Sequence, residues 1–272
     1  PVVLGLIVAV SLGALFFVRK QRRVAAPVFA VLFSVCMLVA FVGTATANPD
    51  KFIQLGTKGA DDQIQFGTSG KDVIVQLGFG GDDTQYVEAD IGDDWIIQNG
   101  GSGNDAQTAI GGDGNNHVLQ DGGDGNDYMY IEGGFSYETY IIQGGPGNDT
   151  IEQGGNIGGG LIYLSGGDGN DMINATNNRG VNSFKIDGGS GDDIIDFTVY
   201  NDADSIFVDG GVGNDFLTIN SDYESFQMLD GKGAVLYSIG SGGNSITIVN
   251  LEHGLIGSGR PEAGTYKVTF QW

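Results

Sequence analysis

The stretch "GGDGNDYMYIE", residues 122–132, decides the fold because its first six residues recur along the chain at a fixed interval. In strides of 22 residues from Gly56, eight windows carry Gly at the first and fourth positions and Asp at the sixth, without an insertion. The windows are "GTKGAD" (56), "GFGGDD" (78), "GGSGND" (100), "GGDGND" (122), "GGPGND" (144), "GGDGND" (166), "GGSGDD" (188) and "GGVGND" (210). Self-similarity of this kind is typical of stacked repeat proteins.

A second, degraded series lies halfway between these windows. It runs from "GTSGKD" (67) and "ADIGDD" (89) through "GGDGNN" (111) to "SDYESF" (221). The unit is therefore eleven residues, paired into a coil of 22. We call the side formed by the first series the aspartate edge and the side formed by the second series the opposite edge.

The residues between the loops alternate between apolar and polar. Alternation over a few residues, bounded by Gly and Asp, predicts short strands, and two strands with two loops close one coil. The predicted fold is all-β, a parallel β-roll or β-solenoid of about eight 22-residue coils, preceded by one or two N-terminal hydrophobic helices. The predicted core pairs are Met129/Ile131, Ile162/Leu164, Ile173/Ala175, Phe184/Ile186, Ile195/Phe197, Ile206/Val208 and Leu217/Ile219.

The charge distribution is strongly uneven. No acidic residue precedes Asn48, and the remainder of the chain carries all 34 acids against eight bases, a net charge near −26. Nucleic acid is excluded as a partner because its recognition needs clustered Lys and Arg, and cations are the natural counter-charge. The single cysteine, Cys36, lies in an apolar run, so the acidic part has no disulfide scaffold.

Two apolar segments precede the repeat. Residues 1–23 combine an apolar run long enough to span a bilayer with the basic cluster "RKQRR". Residues 24–47 fit either a signal peptide ending in the small residues "ATA" or a retained membrane anchor. Both interpretations keep the basic cluster in the cytoplasm and send the acidic part outward. We therefore expect an extracellular or cell-surface protein, secreted by its N-terminal signal or anchored in the membrane through residues 1–47.

Stacked loops would place their aspartates in a column at intervals of about 4.8 Å, the spacing of hydrogen-bonded strands. Without a counter-ion such a column repels itself. Calcium binds carboxylate and backbone carbonyl oxygens, and glycine lets the loop carbonyls turn toward a shared space. The pattern therefore predicts several Ca²⁺ ions in one column along the aspartate edge. On the opposite edge Asp72 and Asp94 are followed by Glu138, Gly160 and Phe226, so no second ion column is expected there.

The windows resemble the haemolysin-type repeat of the RTX (repeats-in-toxin) family, in which "GGxGND" is followed two places on by an apolar residue. Members form calcium-loaded parallel β-rolls, and the resemblance covers roughly residues 56–230. The family unit has nine residues against eleven here, which implies a wider coil. The resemblance implies aspartate ligands at Asp61, Asp83, Asp105, Asp127, Asp149, Asp171, Asp193 and Asp215, and metal-site glycines at Gly100, Gly122, Gly144, Gly166, Gly188 and Gly210.

Two further patterns leave alternatives open. Gln63/Gln85/Gln107 and Gln76/Gln98/Gln120 recur at the 22-residue stride and predict amide ladders, facing either the core or the solvent. The row Val75, Ile97, Leu119, Ile141, Tyr163, Lys185, Phe207 and Leu229 would form an apolar stripe for self-association if it faces outward. The other possibility is that the C-terminal segment, or core packing, covers it.

No catalytic constellation is present, and His117 and His253 are expected to be structural. We expect a structural or adhesive, non-enzymatic protein with calcium-coupled folding and with a polysaccharide or a cell surface as partner. The alternatives are the accessory calcium-binding module of a polysaccharide-active enzyme, similar to the roll of an alginate epimerase, and a self-assembling surface-layer or filament subunit. The predicted domains are the segments 1–23 and 24–47, an N-terminal cap (48–55), the roll (56–230) and C-terminal capping strands (231–272).

Overall fold

The computed structural model describes residues 49–134, 136–155, 158–177, 183–199 and 206–221, followed by 226–229, 235–239, 245–251, 253–258 and 266–269. Every regular element in these ranges is a β-strand. Across the same ranges, no helix is of the length and apolarity needed to cross a membrane. The predicted hydrophobic segments 1–23 and 24–47 lie outside the described residues.

The strands alternate between two sheets. In chain order they are β1 (Asp50–Leu55), β2 (Asp62–Phe66), β3 (Asp72–Leu77), β4 (Thr84–Glu88), β5 (Trp95–Ser102), β6 (Ala106–Ile110), β7 (His117–Asp124), β8 (Tyr128–Gly133), β9 (Tyr137–Pro146), β10 (Thr150–Gly155), β11 (Gly159–Asp168), β12 (Met172–Asn177), β13 (Ser183–Ser190), β14 (Ile194–Val199), β15 (Ile206–Val212), β16 (Phe216–Ser221), β17 (Phe226–Leu229), β18 (Val235–Ile239), β19 (Ser245–Val249), β20 (His253–Ser258) and β21 (Tyr266–Thr269). Odd-numbered strands from β1 to β15 form sheet A, and even-numbered strands from β2 to β16 form sheet B.

Neighbouring strands in each sheet are parallel and one 22-residue stride apart, as in the pairing of Asp50 with Asp72 and of Trp95 with His117. The prediction of an all-β parallel solenoid is confirmed. From β1 to β15 the chain makes about seven turns, against about eight predicted. Residues 48–55, predicted as a cap, contain the first strand of the stack.

The C-terminal segment both extends and closes the stack. Strands β19 and β20 pair parallel with β15 and β16, respectively, and so add one more coil after the 22-residue stride has been lost. Strand β18 then pairs antiparallel with β17, and β21 pairs antiparallel with β20. The described strands of 231–272 are thus partly coil and partly antiparallel edge, an arrangement that covers open strand edges.

The core lies between the two sheets because alternate side chains of each strand face inward. All seven predicted core pairs are buried, and Tyr140, Phe184 and Phe197 are the largest fully buried side chains. The apolar alternation therefore predicts the core correctly. Since a strand contributes at most two inward apolar residues to the core, stacking rather than the single coil supplies the buried area.

The glutamine ladders face the core, which decides between the two alternatives. The amide of Gln98 donates to Gln76 at 2.8 Å and also to the backbone carbonyl of Thr108 in the other sheet at 3.1 Å. In the second ladder, Gln107 donates to Gln85 at 3.1 Å and to the carbonyl of Asp121 at 2.8 Å. Each amide thus bonds along the stack and across it. The core of the N-terminal coils therefore combines hydrogen-bonded glutamines with apolar residues such as Ile74, Val87 and Ile96.

The predicted apolar stripe faces outward but is not continuous. Val75 and Ile97 are buried, whereas Ile141 is 37% exposed. Lys185 interrupts the row, and its ammonium group lies 4.7 Å from the centre of the Tyr163 ring. The side chain of Leu229 lies outside the described part of the structure. Self-association through this face stays a prediction.

Candidate cation-binding edge

The loops of the aspartate edge place their sixth residue directly before a strand of sheet B. In the loop 122–127, for example, Asp127 precedes β8. The side chains at this position are buried in seven consecutive loops, with at most 2% exposure: Asp83, Asp105, Asp127, Asp149, Asp171, Asp193 and Asp215. Asp61, in the first loop, is half-buried. The column predicted from the 22-residue stride is thus present.

One carboxylate oxygen of each buried aspartate holds the preceding coil. Oδ1 accepts a hydrogen bond from the backbone N–H of the aspartate 22 residues earlier, as from Asp105 to Asp127 at 2.7 Å. The distances are 2.7 Å for the donors Asp61, Asp83, Asp105 and Asp149, 2.8 Å for Asp127 and Asp171, and 2.9 Å for Asp193. Half of each carboxylate is therefore used to satisfy a loop N–H that the turn leaves without a ladder partner.

The fifth loop position forms a second ladder that runs in the opposite direction, and our sequence reasoning missed it. Here the side-chain oxygen accepts from the backbone N–H of the following coil, as from Asn126 to Asn104 at 2.8 Å. The ladder joins Asp82, Asn104, Asn126, Asn148, Asn170, Asp192 and Asn214 over distances of 2.7–3.0 Å. The signal was available, because position five is Asn or Asp in seven of the eight windows.

The second carboxylate oxygen faces the first glycine of its own loop. Oδ2 has no hydrogen-bond partner in Asp83, Asp105, Asp127, Asp149, Asp171 and Asp193. A Cβ atom built on Gly122 would lie 2.5 Å from Oδ2 of Asp127 and 2.6 Å from the carbonyl oxygen of Gly144 in the next loop. Glycine is required at position one because these two oxygens occupy the space of a side chain. Gly100, Gly144, Gly166 and Gly188 show the same arrangement, and at Gly210 the carbonyl oxygen is that of Asn250.

Burial raises the pKa of the carboxyl group in six column aspartates, those from Asp83 to Asp193. The pKa reaches about 7 for Asp127, Asp149 and Asp193 and about 6 for Asp105 and Asp171, chiefly because the charged form loses its hydration. For Asp127 the hydrogen bond from Asp105 N–H opposes this shift, and the neighbouring charge of Asp105 adds to it. The negative charge of the column is therefore costly at neutral pH. A bound cation or a proton would offset that cost.

The carboxylate and carbonyl oxygens of these loops are the types of ligand that a hard cation prefers. Six successive loops, those of Asp83 to Asp193, each offer an unpartnered carboxylate oxygen close to a backbone carbonyl oxygen, and calcium binds oxygen atoms of both kinds. Among the described residues, no three His, Cys, Asp or Glu side chains converge as a metal-binding group. A calcium ion would therefore take most of its ligands from loop carbonyls and from the aspartates of adjacent loops.

The opposite edge carries a shorter column of the same kind. The backbone N–H of Asp72 donates to Asp94 at 2.7 Å, that of Asp94 to Asn116 at 3.1 Å, and that of Asn116 to Glu138 at 3.1 Å. All four side chains are buried. The hydrogen-bond column continues to Glu138, because its longer side chain still reaches the N–H of the preceding loop. That no second ion column forms on this edge stays a prediction. Burial raises the pKa of Glu138 to about 7.

His117 takes no part in either edge column. His117 lies on the outer face of sheet A and stacks on Trp95 with ring centres 4.2 Å apart. His253 begins β20, and its side chain lies outside the described part.

Comparisons with protein-family models, with curated proteins and with solved structures find no significant match to this chain.

Proposed function

We propose that the chain is an extracellular, calcium-dependent β-roll with a structural or adhesive role, whose folding is coupled to calcium. The observation that supports this most is the column of buried Oδ2 atoms without hydrogen-bond partners, each facing a glycine carbonyl of the next loop. A turn-forming role of aspartate explains Oδ1, which accepts the loop N–H. It does not explain why a second charged oxygen is buried beside another oxygen in six successive loops.

The residues proposed to hold calcium are the column aspartates from Asp83 to Asp215, together with the first-position carbonyls from Gly100 to Gly210. Asp61 would contribute least, because it is half-buried and its loop contains Lys58. Bound calcium supplies positive charge and accepts six to eight oxygen ligands. The aspartates contribute Oδ2 and keep Oδ1 on the backbone, so binding leaves the ladder between coils intact.

Calcium binding would be coupled to folding because the loop oxygens converge only when coils stack. An ion that binds the stacked chain but not the unfolded chain stabilises by mass action. Extracellular calcium modules bind in the range of about 10⁻⁴–10⁻³ M, so the roll would be stable outside the cell and loose at cytoplasmic calcium levels. This agrees with the N-terminal segments that are predicted to direct it outward.

The test is a calcium titration of the full chain in non-ionic detergent, followed by far-UV circular dichroism, with magnesium in parallel. We expect a cooperative gain of β-sheet signal with calcium and little change with magnesium, because magnesium gives up its hydration reluctantly. An unchanged, already folded spectrum would mean that the aspartates act only as turn-formers, and the proposal would fail.

A further inference from the structure

The outer face of sheet B carries two tyrosines in the same register, two strands apart. Tyr86 on β4 pairs with Thr108 on β6, and Thr108 pairs with Tyr130 on β8. One step along the same face, Glu88 and Glu132 flank Ile110 in the same way. We call this arrangement the tyrosine trough; its walls are Tyr86/Glu88 and Tyr130/Glu132, and its floor is Ala106, Thr108 and Ile110.

Both walls are held by the same hydrogen bond. The hydroxyl of Tyr86 donates to Oε2 of Glu88 at 3.1 Å, and the hydroxyl of Tyr130 donates to Oε2 of Glu132 at 3.0 Å. Because each donor lies two residues before its acceptor on one strand, both rings lean along their strands toward the carboxylates. The trough therefore presents aromatic rings beside carboxylates, with the tyrosine hydroxyl protons already engaged.

The spacing of the walls suits a cation between them. Two strand steps separate the walls by about 9.6 Å, so a group midway lies about 4.8 Å from each wall. Cation–π attraction acts within about 6 Å of a ring centre. Between the walls, two of the three floor residues, Ala106 and Thr108, have short side chains. A third tyrosine, Tyr128, stands beside Ala106, is 39% exposed and donates to Glu152 at 2.8 Å.

We infer that the tyrosine trough binds the guanidinium or ammonium groups of an Arg- or Lys-rich segment of a partner protein. The carboxylates and aromatic rings both favour a cation, and the net charge near −26 of the chain from Asn48 onward speeds encounter with a basic partner. The same charge disfavours acidic polymers. The inference goes beyond the proposed calcium role, because the trough lies on the flat face of the solenoid and uses none of the loop residues.

The test is a fluorescence-anisotropy titration of the full chain with a labelled peptide of alternating Arg and Gly, at about 10⁻³ M calcium. We expect binding that weakens with added salt. The pair Glu88→Gln with Glu132→Gln should weaken it about tenfold. The matched control, Asp62→Asn with Asp196→Asn, removes two charges from the same face outside the trough and should change affinity less than about twofold.

A second variant separates ring contacts from general acidity. Tyr86→Leu with Tyr130→Leu keeps every charge and should still weaken binding about tenfold, whereas the same change at Tyr163 on sheet A should not. The inference would be overturned if the trough and control variants lost the same amount of peptide affinity. It would also be overturned if the peptide did not bind and a neutral glucose hexasaccharide bound in a way that depends on Tyr86 and Tyr130. Circular dichroism of each variant with and without calcium is recorded alongside. Lost peptide binding in a folded variant thus concerns the trough alone, and a spectrum indifferent to calcium concerns the proposed function alone.

Discussion

Replacing Asp127 by Asn should stabilise the calcium-free protein and should reduce the stabilisation that calcium supplies. Asn keeps an Oδ1 that can accept from Asp105 N–H, now at 2.7 Å, and it has nearly the same volume. Its amide nitrogen takes the place of Oδ2, in the space shared with the carbonyl oxygen of Gly144. A buried pair of oxygens thus becomes a donor beside an acceptor, and the buried charge is removed.

The magnitude without calcium follows from the raised pKa of Asp127. A rise from 3.8 to about 7 is about three pKa units, at about 1.4 kcal/mol each. Above pH 7 the ionised carboxyl therefore costs the folded state on the order of 4 kcal/mol. Part of this cost belongs to the coupled column rather than to Asp127 alone, because neighbouring carboxylates repel one another and repel less once one is removed. We therefore expect Asp127→Asn to raise the free energy of unfolding without calcium by about 2–4 kcal/mol. With calcium the variant lacks a ligand oxygen, and a site worth about 2.7 kcal/mol at a hundredfold excess over Kd is lost.

The assay is urea unfolding at pH 8, followed by circular dichroism, with a calcium chelator and with excess calcium. The matched control is Asp124→Asn, an exposed aspartate in the same loop, whose effect should stay within about 0.5 kcal/mol in both conditions. If Asp127→Asn destabilised the chelated protein, the negative charge itself would be stabilising the loop, and the reasoning from burial would be refuted. If calcium stabilised wild type and variant equally, Asp127 would not be a ligand.

Three further predictions concern the loops and the repeat. Burial raises the pKa of the column carboxyl groups, so without calcium the folded state binds protons more tightly than the unfolded chain does. The melting temperature of the calcium-free protein should therefore be highest below about pH 4–5 and fall as the pH rises through 6–7. A melting temperature that rose over this range would contradict the upward pKa shift. Gly122→Ala should cost about 2–4 kcal/mol in urea unfolding, because its Cβ would lie 2.5 Å from a carboxylate oxygen, whereas the control Gly70→Ala, with its nearest contact at 4.0 Å, should be nearly neutral. Deleting residues 122–143, one coil of 22, should leave a cooperative thermal transition, whereas deleting residues 122–132 should abolish it because that change exchanges the two edges.

The repeat spacing predicts most of the fold because a stride without insertions permits only one alignment of the strands. The pairing of β1 with β3 and the burial of Met129 and Ile131 follow directly from it. The last coil does not follow, because β19 returns to β15 only after the β17–β18 hairpin, and no Gly–Asp window marks it. Where the stride ends, the sequence no longer says which strands are neighbours.

The glutamine orientation could have been predicted from the stride as well. Gln120 pairs with Ile142 in the next coil, and Ile142 with Leu164 after it, so the row becomes apolar once the ladder ends. Local alternation did not decide it, because Val75 and Ile74 are both apolar. The residues at the same position in successive coils therefore indicate which way the glutamines face, whereas the residues of a single strand do not.

The candidate site is predicted in position but not in detail. The sixth-position aspartates are where the spacing places them. In the carboxylates from Asp83 to Asp193, Oδ1 accepts a backbone N–H and Oδ2 has no hydrogen-bond partner. This division depends on the offset between stacked loops, which residue types alone do not determine. The column on the opposite edge was also missed, because the reach of Glu138 depends on that offset.

The two opposed ladders have a consequence for the order in which the chain folds. At each junction between coils, the side-chain oxygen at position five of the earlier coil accepts a hydrogen bond from the backbone N–H of the later coil. The position-six carboxylate of the later coil in turn accepts a hydrogen bond from the backbone N–H of the earlier coil. A coil is therefore finished by the coil that follows it in synthesis. Folding can advance vectorially from the N-terminus, each new coil using the last as its template, because all strand pairs from β1 to β16 join residues only 22 apart.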